Sequence, residues 1–301
     1  MVHTWAVLAR RLERAHAARE RGVALIVVLG FLAVMSLIVI GVVGAARNAA
    51  NTASRELIRA QAQAAVESGI DHAIGEILNA RGFAPSLFTK PEVIEVGGFR
   101  VTVSARTEHA KVDLNYADAN LLALLFQAGG ADSGRAQALA SAVEDWRDGD
   151  ELVRVNGAER REYEEAGLSY VPANRFFGSP DELRLVLGIS ASLYDCVRPE
   201  VTILAQRQGI DVDAASPAMR RAAGADLSAV APAEKTIAAG DVYEVTARLN
   251  DATRGVRRAE RASVRITGNP ADPYWVLSIE PAQPLEDAAL RSCPRIVSAG
   301  R

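Results

Sequence analysis

The carboxylates of one short stretch carry the strongest chemistry in the sequence. Asp145, Asp148 and Asp150 fall within six residues of "VEDWRDGDE"; Glu151 is adjacent, and Glu159 follows a short loop later in "NGAERREY". Closely spaced carboxylate oxygens on a turn suit a hard divalent cation such as Ca²⁺. The Asp-x-Asp-x-Asp-Gly-x5-Glu spacing of an EF-hand is absent. Arg147, Arg154, Arg160 and Arg161 are interleaved with the acids. Spacing alone therefore leaves two readings, a metal loop or a solvated loop of ion pairs.

Other reactive groups do not converge. His3, His16, His72 and His109 are scattered, and no His-Glu-x-x-His, Cys-x-x-Cys, Gly-x-Ser-x-Gly or phosphate loop occurs. With no catalytic constellation, no enzymatic activity is expected. His72 reads as a helix-surface residue and Trp146 as a core anchor beside the acidic cluster. Cys196 and Cys293 would either pair in an oxidising compartment or stand apart as small buried residues.

The acidic cluster sits in a helical block. From Lys111 to about Glu200, "NLLALLF", "RAQALASAVEDW" and "SPDELRLVLG" read as helices, the last opening on Ser179, Pro180 and Glu182. Strand patterns flank the block. "PEVIEVGGFRVTVSARTE" (Pro91 to Glu108) alternates around Gly97-Gly98 as a hairpin. "EVTIL" (Glu200 to Leu204), "DVYEVTARL" (Asp241 to Leu249), "RASVRIT" (Arg261 to Thr267) and "PYWVLSI" (Pro273 to Ile279) read as later strands, with "NDATRG" as a turn. "VDLNYADANLLALL" (Val112 to Leu125) has a weak echo in "IDVDAASPAMRRA" (Ile210 to Ala222).

Upstream lies a different kind of segment. Val23 to Ala46 is a run of 24 uncharged residues between Arg21 and Arg47. As helix it measures about 36 Å, enough for a hydrocarbon core of ~30 Å, and it exceeds the roughly 7–15 apolar residues of a secretory signal. Arg10, Arg11, Arg14, Arg19 and Arg21 precede it, so the positive-inside rule keeps the head cytoplasmic and exports the body. The head carries five Arg against two Glu; the whole chain has a net charge of −3. An acidic body weighs against nucleic-acid binding. Past Arg47, Leu57, Ile58, Val66, Ile70 and Ile74 recur at helical spacing, and no proline occurs before Pro85. One helix from about residue 24 to 80 is expected, apolar all round and then one-faced.

A basic leader ending in glycine directly before such a helix resembles the type IV pilin and pseudopilin class. The insertion motifs narrow this. "VEDWRDGDE", "NGAERREY" and "YVPANRFFGSPDELRLVLGIS" resemble elements of the K-type minor pseudopilins of type II secretion, and the resemblance runs from about residue 19 to 280. It implies an α+β fold: a long N-terminal transmembrane helix packed on a small antiparallel, pilin-like sheet, with a large all-α insertion. The implied division is a cytoplasmic leader at 1–22, the N-terminal helix at 23–80 with its span at 23–46, a pilin-like core at 81–110 and 200–301, and a helical insertion at 111–199.

The resemblance also implies function. A prepilin peptidase would cut between Gly22 and Val23 and methylate the new amine. The chain would be a minor pseudopilin at the tip of a periplasmic pseudopilus, anchored once in the inner membrane with its C-terminal body in the periplasm, and partnered by I-type and J-type minor pseudopilins. Mature position five, usually Glu in the wider class, is Val27 here; a subunit with no neighbour above it has no use for that carboxylate. The stripe Leu57, Ile58, Val66 and Ile70 is expected to bury against neighbouring helices. Ca²⁺ in the insertion is implied, with Asp145, Asp148, Asp150 and Glu159 as ligands; Arg160 stands where the family has a second acid. The rival readings are a membrane-anchored helix-hairpin-helix DNA-uptake protein and a minor pilin of a type IV pilus. "FQAGGADSG" lacks the Gly-x-Gly hairpin that would face phosphate.

Overall fold

A computed structural model describes residues 3–80, 86–88, 90–224 and 237–282; the side chains of residues 3–24 are outside that description. Contacts divide the chain into two units, Met1–Ala60 and Gln61–Arg301. Helix α1 runs from His3 to Asn79.

Within the first unit the stretch of α1 from Leu25 to Val43 is apolar on every side. Leu25 to Val43 present exposed aliphatic and aromatic side chains, and this helix is long and apolar enough to cross a membrane. The hydroxyl of Ser36 donates to the Leu32 carbonyl at 2.8 Å, satisfying itself within the helix as a lipid-facing segment requires.

In the second unit the end of α1 becomes one-faced. Ala62, Ala65, Val66, Ile70, Ala73, Ile74 and Ile77 are buried. They pack in the same core as the inner face of a five-stranded antiparallel sheet: β1 (Glu92–Val96), β2 (Phe99–Thr107), β5 (Val242–Asp251), β6 (Val256–Ile266) and β7 (Tyr274–Pro281), in that spatial order. Gly97 and Gly98, at φ 58° and 77°, make the two-residue turn that joins β1 to β2. Gly69 sets the helix-to-sheet distance. A Cβ there would lie 2.9 Å from Val101 Cγ1 and 3.2 Å from Ala247 Cβ.

Between β2 and β5 the chain leaves the sheet and builds a second core. It contains α2 (Ala119–Ala128), α3 (Ser133–Arg147), α4 (Arg160–Glu165), α5 (Ala191–Val197) and α6 (Pro217–Ala222), closed around Leu122, Phe126, Trp146, Tyr163, Leu193 and Met219. Two short strands, β3 (Val112–Asp113) and β4 (Val201–Thr202), pair in parallel at its base.

The α+β arrangement with a long apolar helix, an antiparallel sheet and added helices agrees with the expectation. Several details differ. The helical core does not stop at 199: Ala215 and Met219 are buried in it, because Ser216 caps α6 and α6 packs on α2. "EVTIL" forms only the two residues of β4. "SPDELRLVLG" is a 3₁₀ turn, Pro180–Leu185, held by the Ser179 hydroxyl accepting from Asp181 N–H and stopped before Gly188 at φ 88°. β6 begins at Val256, five residues before the alternating pattern, since the residues that follow Val256 carry charge on both faces, Arg257 on one and Arg258 and Glu260 on the other.

Candidate functional site

The acidic cluster is assembled at the end of α3. Asp132 caps this helix by accepting from Arg135 N–H at 2.9 Å. At its other end Arg147 donates to the carbonyls of Leu114 and Ala117 at 2.6 and 2.7 Å, fixing the last turn against the base of the insertion. Trp146 lies 6.1 Å from Phe177 and 6.2 Å from Tyr163, ring centre to ring centre.

Asp145 is fully buried, and its carboxylate is already satisfied. Oδ2 accepts from Ala158 N–H at 2.8 Å and Arg154 N–H at 3.3 Å, while Oδ1 accepts from Arg154 Nη1 at 2.9 Å. This fit demands glycine at 157, where a Cβ would stand 2.0 Å from Asp145 Oδ2. Asp145 thus shapes the 148–159 loop rather than facing its interior.

Asp148, Asp150 and Glu159 do converge. One carboxylate oxygen from each lies within 4.8 Å of the others. Glu159 is the unusual member. It stands at the start of α4, with its N–H donating to Glu162 Oε2 at 2.9 Å, yet it is only 4% exposed and both its carboxylate oxygens are buried without a hydrogen-bond partner. Burial, then the charges of Asp145, Asp148, Glu151 and Asp150, push its pKa up to about 7. Asp148 Oδ1 is likewise buried and unpartnered, while Oδ2 meets Arg154. Such orphaned oxygens are costly unless a cation takes them. Three carboxylates would supply part of the six to eight oxygens that Ca²⁺ takes, so the residues present fit that ion.

The interleaved arginines divide by role. Arg154 reaches Asp145, Asp148 and Glu144, and the hydrogen bonds to Asp148 and Asp145 hold its guanidinium more firmly protonated than usual. Arg160 pairs with Glu151 at 3.4 Å and Arg161 with Glu165 at 2.8 Å, both exposed. The cluster is therefore partly an ion-pair loop and partly a set of carboxylate oxygens that could hold a cation. Asn174 is a member that spacing did not single out. At φ 46° it donates through Nδ2 to the Asp150 carbonyl at 2.9 Å, and its Oδ1 is buried without a partner. The signal was present in "PANRF", where a left-handed position favours Asn.

Other expected sites are placed as follows. Gly22 and Val23 lie in the backbone of α1. Val27 and Leu57 are exposed, and Ile58 is partly covered. Val66 and Ile70 are corrected: they are 0% and 5% exposed in the chain's own core and so are not free to meet a neighbouring helix. The small residues Ala62, Ala65, Gly69 and Ala73 bring this stretch of α1 close to the sheet, which consumes the stripe. The second cysteine of a Cys196–Cys293 pair lies outside the described residues.

Comparison with known proteins agrees with the geometry. Residues 103–206 match the family model for type II secretion system protein K. A type II secretion system protein K of Pectobacterium carotovorum subsp. carotovorum is 31% identical over 211 residues, 62% of this chain and 64% of that relative. The corresponding Aeromonas hydrophila protein is 45% identical over 67 residues, covering 22% of this chain and 20% of its own length. The chain thus spans less than two thirds of the length of these curated relatives. In solved structures, a chain of the GspK-GspI-GspJ complex from the enterotoxigenic Escherichia coli type 2 secretion system shares the fold, with a TM-score of 0.57 at 17% identity, covering 77% of this chain and 99% of its own. In its insertion and in its curated relatives, the chain is similar to type II secretion system protein K.

Proposed function

We propose that the chain is a minor pseudopilin at the tip of the periplasmic pseudopilus and supports protein secretion across the outer membrane. The observation that carries this is the K-family insertion built into the loop between β2 and β5 of a helix-and-sheet domain. The role is structural. Residues 23–46 anchor the chain once in the inner membrane after removal of the leader at Gly22, and the body lies in the periplasm. The related fold was solved in a complex with GspI and GspJ; by that likeness, I-type and J-type pseudopilins are the partners here. Val27, exposed on α1, leaves no carboxylate to pair with a subunit above. Within the insertion, Asp148, Asp150 and Glu159 would hold Ca²⁺, which supplies positive charge to oxygens that otherwise repel, and Asp145 keeps the loop in shape. The test is complementation. A strain lacking its K subunit should regain secretion with this chain, and tagged chain should co-purify with the I and J subunits; loss of both would remove the proposal.

A further inference from the structure

The two faces of the five-stranded sheet are chemically opposite. Val101, Val103, Ala105, Val245, Ala247 and Leu249 point toward α1. The other face carries Arg100, Arg106, Arg248, Arg257, Arg261 and Arg265. The register brings them together: Thr102 lies opposite Arg248, Arg106 opposite Glu244, Thr246 opposite Arg261, and Val242 opposite Arg265. Against these stand Glu95, opposite Arg100, Glu280, opposite Arg261, and Glu244. A basic array on a chain of net charge −3 is a local reversal of sign.

Its charges are only partly neutralised within the chain. Arg106 is engaged by Glu200 at 2.7 Å and Arg261 by Glu244 at 3.3 Å. Among the described residues, Arg100, Arg248, Arg257 and Arg265 have no ion-pair partner. The Nε–H groups of Arg248 and Arg265 are buried without a hydrogen-bond acceptor. Burial, and then the like charge of Arg261, lower the pKa of Arg248. Guanidinium groups held side by side with unmet donors gain from an anion that supplies acceptors in a plane.

We propose that this outer sheet face docks a carboxylate-bearing surface of a partner protein. The pattern selects against a uniform polyanion. DNA carries a negative charge about every 1.7 Å and would meet Glu95, Glu244 and Glu280 wherever it lay, whereas a protein surface can place hydroxyls or cations over them. Trp275, 57% exposed and opposite Arg265, adds an aromatic beside arginines, the composition of protein–protein anchor points.

The test uses the full chain in detergent micelles and a synthetic peptide of alternating Glu and Ser. The peptide should bind at low salt and weaken as salt screens the contact. The double variant Arg248→Glu/Arg265→Glu should lose at least about tenfold in affinity, some 1.4 kcal/mol, with an unchanged melting temperature. Should that variant fail to fold, Arg248→Ser/Arg265→Ser should still bind more weakly, with a shallower dependence on salt than the unaltered chain. No binding at low salt, or equal binding by the variants, overturns the proposal. So does tighter retention of double-stranded DNA or of phosphatidylglycerol vesicles than of the peptide.

Discussion

Arg106 Nη2 sits 2.7 Å from Glu200 Oε2, and the same guanidinium donates to the carbonyls of Ala110 and Pro199. One side chain from β2 therefore holds both the outgoing and the returning strand of the insertion. Lys111 completes the neck, with Nζ 2.8 Å from Glu108 and 2.7 Å from Glu244. β3 and β4 then pair directly above.

Breaking this neck should cost more than a surface ion pair, whose value is about 0–1 kcal/mol. Arg106→Ala leaves Glu200 and two carbonyls short of a donor, and a loss of roughly 1–3 kcal/mol is expected. Urea unfolding of the periplasmic body would measure it. A variant within about 0.5 kcal/mol of wild type would show the neck to be dispensable.

The neck also gives stability a pH dependence. Burial opposes the charge on Glu244, but Lys111 and Arg261 outweigh it and hold its pKa below the ordinary carboxylate value. A depressed folded-state pKa contributes stability that is present above the unfolded pKa and lost as pH falls toward the folded one. The melting temperature should therefore drop as pH is lowered below about 4.5. In Glu244→Gln the melting temperature should be lower at neutral pH and the acid limb shallower. Identical acid limbs would assign the loss to other groups.

Calcium should stabilise the insertion. At one hundred times its Kd, a ligand adds about 2.7 kcal/mol, or a few degrees in a domain of this size. Asp148→Ala should abolish the gain. Glu159→Gln should abolish it too while leaving the chelated protein at least as stable, because it removes a buried charge that has no partner. Melting curves in calcium and in chelator, with a calorimetric titration, decide the matter; indifference to both returns the loop to its ion pairs.

Gly69 is a test of helix-to-sheet packing. Alanine would gain up to ~1 kcal/mol of helix propensity, but overpacking a core costs typically 1–3 kcal/mol. Its Cβ would stand 2.9 Å from Val101 Cγ1. Gly69→Ala should thus be neutral to destabilising and Gly69→Val clearly destabilising in thermal melts. A stabilised Gly69→Val would mean the sheet can withdraw.

Processing is read by mass. Peptides from membrane-extracted protein should begin at a methylated Val23; an intact Met1, or a start beyond Ala46, would contradict the pseudopilin reading. Val27→Glu should leave secretion unchanged or weaker, since a tip subunit offers that carboxylate no amine.

What could be read in the sequence was local. The apolar span, the Gly97-Gly98 hairpin and the clustering of Asp148, Asp150 and Glu159 each depend on neighbours along the chain. What escaped was set by distant partners. Asp145 looks like a fourth ligand until Ala158 N–H and Gly157 are brought under it. Val66 and Ile70 show the periodicity of an exposed seam and of a buried one alike; only the sheet decides. Arg257, Arg258 and Glu260 hide the start of β6 because charge on both of its faces breaks the alternation. Asn174 gains its meaning from Asp150, far back in the chain.

The pairing of β2 with β5 has a kinetic meaning. These strands are neighbours in the sheet although residues 108–241 lie between them. Closing so long a loop is slow when the intervening chain is loose. Once the insertion has its own core and the clasp at Arg106 and β3–β4 has formed, the loop left to close before β5 reaches β2 shrinks to residues 203–241. The topology thus favours an order in which the insertion condenses first and the sheet zips afterwards, so that damage to the insertion would be felt first as slow folding of the domain beneath it.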